Sequence, residues 1–537
     1  MKAIRFLILP GLVTLALSSS SAIGAQSVGD PSARCKALEN VDLSRTPDAV
    51  IQVKETKLAG STDDAAGYCE VTGNVAPSVG FVLRLPLADW NGKFLELGCG
   101  GPCGTLEHIR QCDDPLRRGY ACIVSDGGHK VNASEPMKWA YAKPQAVIEY
   151  VHRASHVTAL AGKAIVQLYY GQAPGKSYFM GCSAGGMQAM WEAQRFPWDF
   201  DGIVAGGPAL SNSRLWLNWL WANRAIMGAD GKAILEQAEL ETLHQGVVQH
   251  CDRNDGVEDG LIGDPRACHF DPMELRCASD KIGRCLTAPQ IEASAKIYDG
   301  PVTSKGEQIA APIALRGSEL TWSTYFVGSA ANPTPVYDYF KEGFRWSIFE
   351  INLGTTWKPE SFDFDRDHRR LGAMEALEPM WNSDLRRFNA AGGKLLAYTG
   401  WNDAIEGVLN TAEYYEVAER VTGGRAVTQD FFRLFIVPGM EHCGGGRGAS
   451  VIDWLSYLEA WVELGQAPVR VIGAHIKSKD LNREQESDQR ELQRRSKFPL
   501  DRANIEFSRP VYPYPEQAKY RGRGDQNSAE SFEARIP

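Results

Sequence analysis

Short apolar or β-branched runs, each closed by glycine or a polar turn, recur along the chain: Phe81 to Leu85, Phe94 to Leu97, Ala121 to Val124, Tyr178 to Met180, Ile203 to Ala205, Leu395 to Tyr398 and Leu434 to Val437. Runs this short with no polar face predict strands covered on both sides, as in a largely parallel sheet. Between them lie segments with helical spacing of apolar residues, notably Pro144 to Tyr170 and Gly185 to Phe196. Strand and helix alternate, so the chain reads as α/β. From about Asn212 to Phe388 the alternation stops, and aromatic residues, cysteine-bounded loops and helical stretches replace it. The pattern predicts a sheet-bearing domain over 26–211 and 389–537, interrupted by an inserted domain over 212–388.

The first residues fall outside this scheme. Lys2 and Arg5 precede an apolar run from Phe6 to Leu17, and small residues from Ser18 to Ala25 offer cleavage sites. This is the layout of a secretory signal over 1–25, and the run is short of the roughly 20 residues needed to span a bilayer. With no cysteine near the cleavage region to take a lipid, a soluble secreted or periplasmic protein is expected. Near the other end, Lys477 to Arg495 is rich in charge and poor in apolar residues, as a solvated surface segment would be.

Export gives the twelve cysteines meaning, because thiols pair in oxidising compartments. An even number agrees with complete pairing. The spacings of Cys251 with Cys268 and of Cys277 with Cys285 invite short-range bridges, while the pairing of Cys35, Cys69, Cys99, Cys103, Cys112 and Cys122 stays open. None has the C-x-x-C spacing of a zinc site. A formal net charge of −9 argues against nucleic acid as a partner. The 14 tryptophans are enough for an aromatic-lined pocket as well as a core. No signal speaks to an oligomeric state.

Gly181-Cys182-Ser183-Ala184-Gly185 fits G-x-S-x-G between a strand-like and a helix-like stretch. That context is what a nucleophile elbow requires: small flanking residues let the serine backbone turn sharply and leave its hydroxyl exposed at the sheet edge. A serine hydroxyl needs a base, and in this chain order an acid and then a histidine should follow, each on a loop after a strand. Asp403 follows Leu395 to Tyr398 through Thr399-Gly400-Trp401-Asn402, and His442 follows Leu434 to Val437 through Pro438-Gly439-Met440. Glu406 is a rival acid in the same loop as Asp403. Of the ten histidines, His442 stands out because its neighbour Cys443 is a natural partner for Cys182, the neighbour of Ser183. A disulfide between them would tie nucleophile to base. For an oxyanion, the N–H of Ala184 and that of Gly101 in the loop Gly98 to Pro102 are the candidate donors, with Gly100 close behind. In an α/β-hydrolase arrangement, the insertion after Ser183 would lie over the carboxyl ends of the strands as a lid.

With these motifs in view, the chain resembles the tannase and feruloyl esterase family, which includes hydrolases of mono(2-hydroxyethyl) terephthalate. The resemblance runs through Trp90 to Phe94, Ser177 to Gly186, Arg195-Phe196-Pro197, Asp201 to Gly206 and Glu441-His442-Cys443. It implies an α/β-hydrolase fold with a large inserted lid, the Ser183, Asp403, His442 triad and the Cys182 to Cys443 bridge. Cys99, Cys103, Cys112 and Cys122 depart from the better-known bacterial members. The resemblance also implies a structural calcium in the lid, on Asp252, Asp255 and Asp259 with the carbonyls of Val257 and Leu261, and no organic cofactor. Closely spaced carboxylates with glycine turns suit a hard cation that wants six to eight oxygens.

The expected activity is hydrolysis of small esters of aromatic acids, feruloyl, galloyl or terephthaloyl, through an acyl-enzyme. Trp216, Trp219, Trp322, Phe344, Trp346 and Trp357 are candidates for the aromatic slot. A secreted serine peptidase or amidase on the same fold, and a non-catalytic calcium-dependent binding protein, are the competing readings.

Overall fold

The computed structural model describes residues 30–60, 67–278, 284–329, 332–349, 351–477 and 496–537. The expected signal at 1–25 and the charged stretch beyond Lys477 up to Arg495 lie outside the described residues.

All seven apolar runs are strands. With two more they form one sheet: β1 (Ile51–Ala59), β2 (Tyr68–Val75), β3 (Val79–Pro86), β4 (Lys93–Leu97), β5 (Ala121–Ser125), β6 (Lys176–Cys182), β7 (Gly202–Gly206), β8 (Lys394–Gly400) and β9 (Phe432–Val437). The order is β1-β2-β3-β5-β4-β6-β7-β8-β9. From β5 to β9 neighbours run parallel, whereas β1, β2, β3 and β5 pair antiparallel. The two strands that carried no apolar run, β1 and β2, lie at this antiparallel edge. β2 alternates buried with half-buried positions and β1 is mostly exposed, so polar residues fill every second place or more. Late in the chain β10 (Val471–Ile476) pairs with β11 (Ile505–Val511), and β12 (Gln517–Tyr520) with β13 (Phe532–Arg535).

Successive side chains of the parallel strands feed opposite layers. Phe179, Ile203, Leu395 and Leu434 pack with helices Ala154–Tyr170, Ala184–Arg195 and Val408–Thr422. Tyr178, Val204, Leu396 and Phe435 pack with helix Trp454–Leu464. Each strand is buried on both faces, which is why it reads as a continuous apolar run. The long helix expected from Pro144 is two helices, Pro144–Ile148 and Ala154–Tyr170, joined by a wider π-type turn over Glu149–Arg153.

Between β7 and β8 no described residue adds a strand to the sheet. Helices Asn212–Ile226, Gln237–Cys251, Ala288–Asp299 and Pro335–Trp346 instead build a third apolar cluster, which takes in Ala184 and Met187 after Ser183 and Ala404 after Asp403. The inserted residues are thus packed against the ends of the strands that carry the expected triad.

The cysteines are fully paired: Cys35–Cys69, Cys99–Cys103, Cys112–Cys122, Cys182–Cys443, Cys251–Cys268 and Cys277–Cys285. Both expected short-range bridges form, and each of the six N-terminal cysteines joins the next in sequence. Among the described residues no helix is long and apolar enough to cross a membrane.

Candidate active site

The chain leaves β6 and enters helix Ala184–Arg195 through one residue, Ser183, at φ 64° and ψ −123°. A non-glycine residue there is strained and persists only where its surroundings dictate it. They do: the Ser183 N–H donates to the Gly206 carbonyl at 3.0 Å, and its own carbonyl accepts from Met187 N–H at 2.9 Å. The turn is so tight that a Cβ on Gly181 would stand 2.5 Å from the Gly185 carbonyl oxygen. Ala184 opens the helix, so its N–H has no acceptor within the helix and points where the helix dipole favours negative charge.

Asp403 and His442 come from the loops after β8 and β9, which are bonded to each other: Asn402 N–H donates to the Met440 carbonyl at 3.0 Å and Trp401 N–H to that of Val437 at 3.1 Å. Asp403 is 1% exposed, and its Oδ2 lies 3.0 Å from His442 Nδ1. Oδ1 accepts the N–H groups of Ile405 and Glu406 at 3.0 and 3.1 Å. Burial alone would raise this carboxyl, but the imidazole and the two amides overcome it and hold Asp403 below its usual value. The Cys182–Cys443 bond spans 261 residues and brings the serine and histidine loops to a Cα separation of 5.8 Å. Cys443 Sγ is 3.6 Å from His442 Nε2.

Two residues of this site went unassigned in the sequence. Gly207, at φ 36°, occupies the space between its members: a Cβ there would lie 3.2 Å from Asp403 Oδ2, 3.4 Å from Cys182 Sγ and 3.6 Å from His442 Nδ1. The Gly206-Gly207-Pro208 run after an apolar strand was the available signal. Glu406, weighed only as a rival to Asp403, turns instead to the nucleophile, and its Oε1 accepts the Ser183 hydroxyl at 3.1 Å. Burial pushes Glu406 up to about 7, with the Asp403 charge adding to the rise and His442 opposing it.

The loop after β4 crosses the elbow. Its Gly98 N–H is committed to the Met180 carbonyl and its Cys99 N–H to Gln188 Oε1, at 2.9 and 3.1 Å. Pro102 has no N–H, so Gly100 and Gly101 are the donors this loop has left; a Cβ on either would meet nothing within 4 Å. The Cys99–Cys103 bond closes the loop on itself.

Beside the site is a mainly apolar cavity of about 390 Å³, lined among others by Trp139, Tyr150, Trp191, Trp216, Tyr339 and Trp346. Of the six aromatic candidates, Trp216 and Trp346 line it. Trp219 donates its indole N–H to the Ile405 carbonyl at 3.2 Å, while Trp322, Phe344 and Trp357 pack within the inserted cluster.

The candidate calcium segment follows helix Gln237–Cys251 and is clamped by Cys251–Cys268. Asp252 Oδ1 accepts from Asp259 and Gly260 N–H, Asp255 Oδ1 from Val257 N–H, and Asp259 Oδ2 from Arg509 at 2.7 Å. In these rotamers no three His, Cys, Asp or Glu side chains among the described residues converge as a metal centre. The donor set is nevertheless of the hard-oxygen kind. Burial, with Asp259 and Asp252 nearby, pushes Asp255 up to about 7, a load that a divalent cation would relieve.

Comparison with known proteins settles what these parts belong to. Residues 64–535 match the family model described as tannase and feruloyl esterase. The chain belongs to that family. It is 32% identical to an uncharacterised esterase of Xanthomonas campestris over 90% of this chain and 89% of that protein. It is 31% identical to the mono(2-hydroxyethyl) terephthalate hydrolase of Piscinibacter sakaiensis over 88% of this chain and 85% of that one. Among solved structures, feruloyl esterase B from Aspergillus oryzae superposes with a TM-score of 0.79 over 94% of this chain and all of that one, at 24% identity. The tannin acyl hydrolase of Aspergillus niger gives 0.73 at 19%, covering 94% of this chain and 95% of that one. The fold is that of an α/β-hydrolase, and this member of the tannase and feruloyl esterase family is a carboxylic ester hydrolase.

Proposed function

We propose that this is a secreted or periplasmic serine esterase acting on small esters of aromatic acids, of feruloyl, galloyl or terephthaloyl type. Ser183 attacks the ester carbonyl while His442 takes its proton; Asp403 holds the imidazole in the tautomer that makes Nε2 the base, and stabilises the imidazolium. The N–H groups of Ala184 and Gly101 receive the charge on the carbonyl oxygen. His442 then returns the proton to the leaving alcohol and activates water to release the acid. Residues 212–388 act as the lid, and the aromatic cavity they form with Trp139, Tyr150 and Trp191 takes the acyl ring. Asp252, Asp255 and Asp259, with the carbonyls of Val257 and Leu261, would hold a calcium that braces it. Six disulfides, and the signal expected at 1–25, support export.

One observation carries this reading: the strained Ser183 elbow is joined through Cys182–Cys443 to the loop on which His442 meets Asp403. Nothing in the packing of an inert protein calls for a strained serine tied by a disulfide between its neighbour and the loop on which that pair meets. The test is a panel of ferulate, gallate and terephthalate esters and their matched amides, with wild type and Ser183→Ala. Ester cleavage that vanishes in the variant is expected. Preference for amides would make the protein an amidase, and full activity in Ser183→Ala would remove the mechanism.

A further inference from the structure

The turn that brings Asp403 to His442 brings a second carboxyl to the attacking atom itself. Glu406 is 6% exposed, its N–H is held by Asp403 Oδ1, and its Oε1 accepts the Ser183 hydroxyl at 3.1 Å. Its other oxygen, Oε2, is enclosed by protein and has no hydrogen-bond partner among the described residues. A Ser-His-Asp mechanism has no step for this group, and its ionised form would obstruct the attack in two ways. A carboxylate at this distance is a stronger acceptor than a neutral acid, so it competes with the imidazole for the Ser183 proton. Its charge would also oppose the oxyanion that grows on the substrate as the Oγ–C bond forms. The neutral acid does neither.

We propose that Glu406 is a titratable switch on the nucleophile that must carry its own proton for Ser183 to attack, the neutral acid releasing the hydroxyl to His442 and the carboxylate trapping it. This rests on the serine-esterase reading above. In the attack the Oγ–C bond forms, the carbonyl π pair moves to oxygen and the hydroxyl proton passes to His442. Glu406 gains and loses nothing.

The surroundings favour the neutral form. Asp403 and His442 face Glu406 from the loops after β8 and β9, Ser183 from the elbow, Tyr150 from the turn Glu149–Arg153 and Tyr339 from helix Pro335–Trp346. Tyr150 and Tyr339 are themselves kept neutral, by burial first and then in part by Glu406. His442, when protonated, and the hydrogen bond from Ser183 support the carboxylate. Burial outweighs both and pushes Glu406 up to about 7, so this proton leaves within the working range of an esterase. Activity then requires His442 without its proton and Glu406 with one.

The experiment follows phosphonylation of Ser183 by an alkyl fluorophosphonate between about pH 5 and 9, in full-length wild type and in Glu406→Gln, whose amide is neutral at every pH. The wild-type rate is expected to rise as His442 loses its proton and then fall several-fold on the alkaline side, while the Gln variant rises to a plateau. A wild-type plateau at alkaline pH overturns the proposal, and so does an alkaline fall of the same depth in the variant. The wild-type curve alone decides against it even where Glu406→Gln does not fold. A wild type that is neither labelled at Ser183 nor able to cleave any aryl ester defeats the esterase reading instead, an outcome distinct from a labelled enzyme with a flat alkaline limb.

Discussion

Asp403 divides its carboxylate between His442 Nδ1, 3.0 Å from Oδ2, and the N–H groups of Ile405 and Glu406, which donate to Oδ1. One side chain thus orients the imidazole and shapes the loop that points Glu406 at Ser183. The two acids of this loop are not interchangeable.

Asp403→Asn tests the first of these tasks. The amide oxygen still accepts the two N–H groups, so the loop keeps its shape, but a neutral side chain no longer favours the tautomer that leaves Nε2 free as the base. A fall in kcat on the order of 10⁴ is expected, with a melting temperature close to wild type. A variant within tenfold of wild type on an aryl ester would exclude Asp403 as the triad acid.

The Cys182–Cys443 bond should matter to stability and rate together. Closing a loop of 261 residues stabilises the fold by on the order of 5 kcal/mol in the chain-entropy model. Paired Cys→Ser replacement at both positions should lower the urea midpoint and cut kcat, because small displacements of His442 from Ser183 are costly in rate. Unchanged kcat alongside a lowered midpoint would make the bond purely structural.

Gly207→Ala adds one methyl group at the meeting point of Asp403, Cys182 and His442, on backbone with φ 36°. The site must open by a few tenths of an ångström or more, and a drop in kcat/KM of about 10²-fold is expected. Steady-state kinetics beside circular dichroism separates this from unfolding; a fully active variant would show that the geometry has slack.

Stability should depend on pH through Glu378, whose carboxyl accepts from the Ser211 and Ser213 hydroxyls and the Ser213 N–H, and which burial nonetheless pushes up to about 7. Between about 4.5 and 7 the folded chain binds this proton more tightly than the unfolded one. The contribution is therefore complete below the lower value and is lost as pH rises through the upper one, at a cost on the order of 3 kcal/mol. Denaturant titrations at pH 5 and pH 8 should show the loss in wild type and a smaller one in Glu378→Gln. Equal slopes would place the pH dependence elsewhere.

Calcium is expected to raise the melting temperature and a chelator to lower it, with Asp255→Asn abolishing the difference. A site at 100 times its Kd contributes about 2.7 kcal/mol. Identical melts with calcium and with chelator would leave Asp252, Asp255 and Asp259 as an acidic turn held by main-chain amides and Arg509.

The amino-acid sequence by itself determined seven of the nine strands of the sheet, the elbow, and the bridges Cys251–Cys268 and Cys277–Cys285. Strands buried on both faces are continuous apolar runs, and a tight turn needs its glycines at fixed neighbours, so both leave marks readable within a few residues. The antiparallel edge of β1 and β2 left none, since half-exposed strands carry polar residues. Which acid serves which partner was decided only in three dimensions. Asp403 and Glu406 share one loop and similar chemistry, and their roles diverge because the loops after β8 and β9 and the elbow after β6 converge from points far apart in the chain. Gly207 acquires its importance the same way, as the one residue small enough to stand where those loops meet.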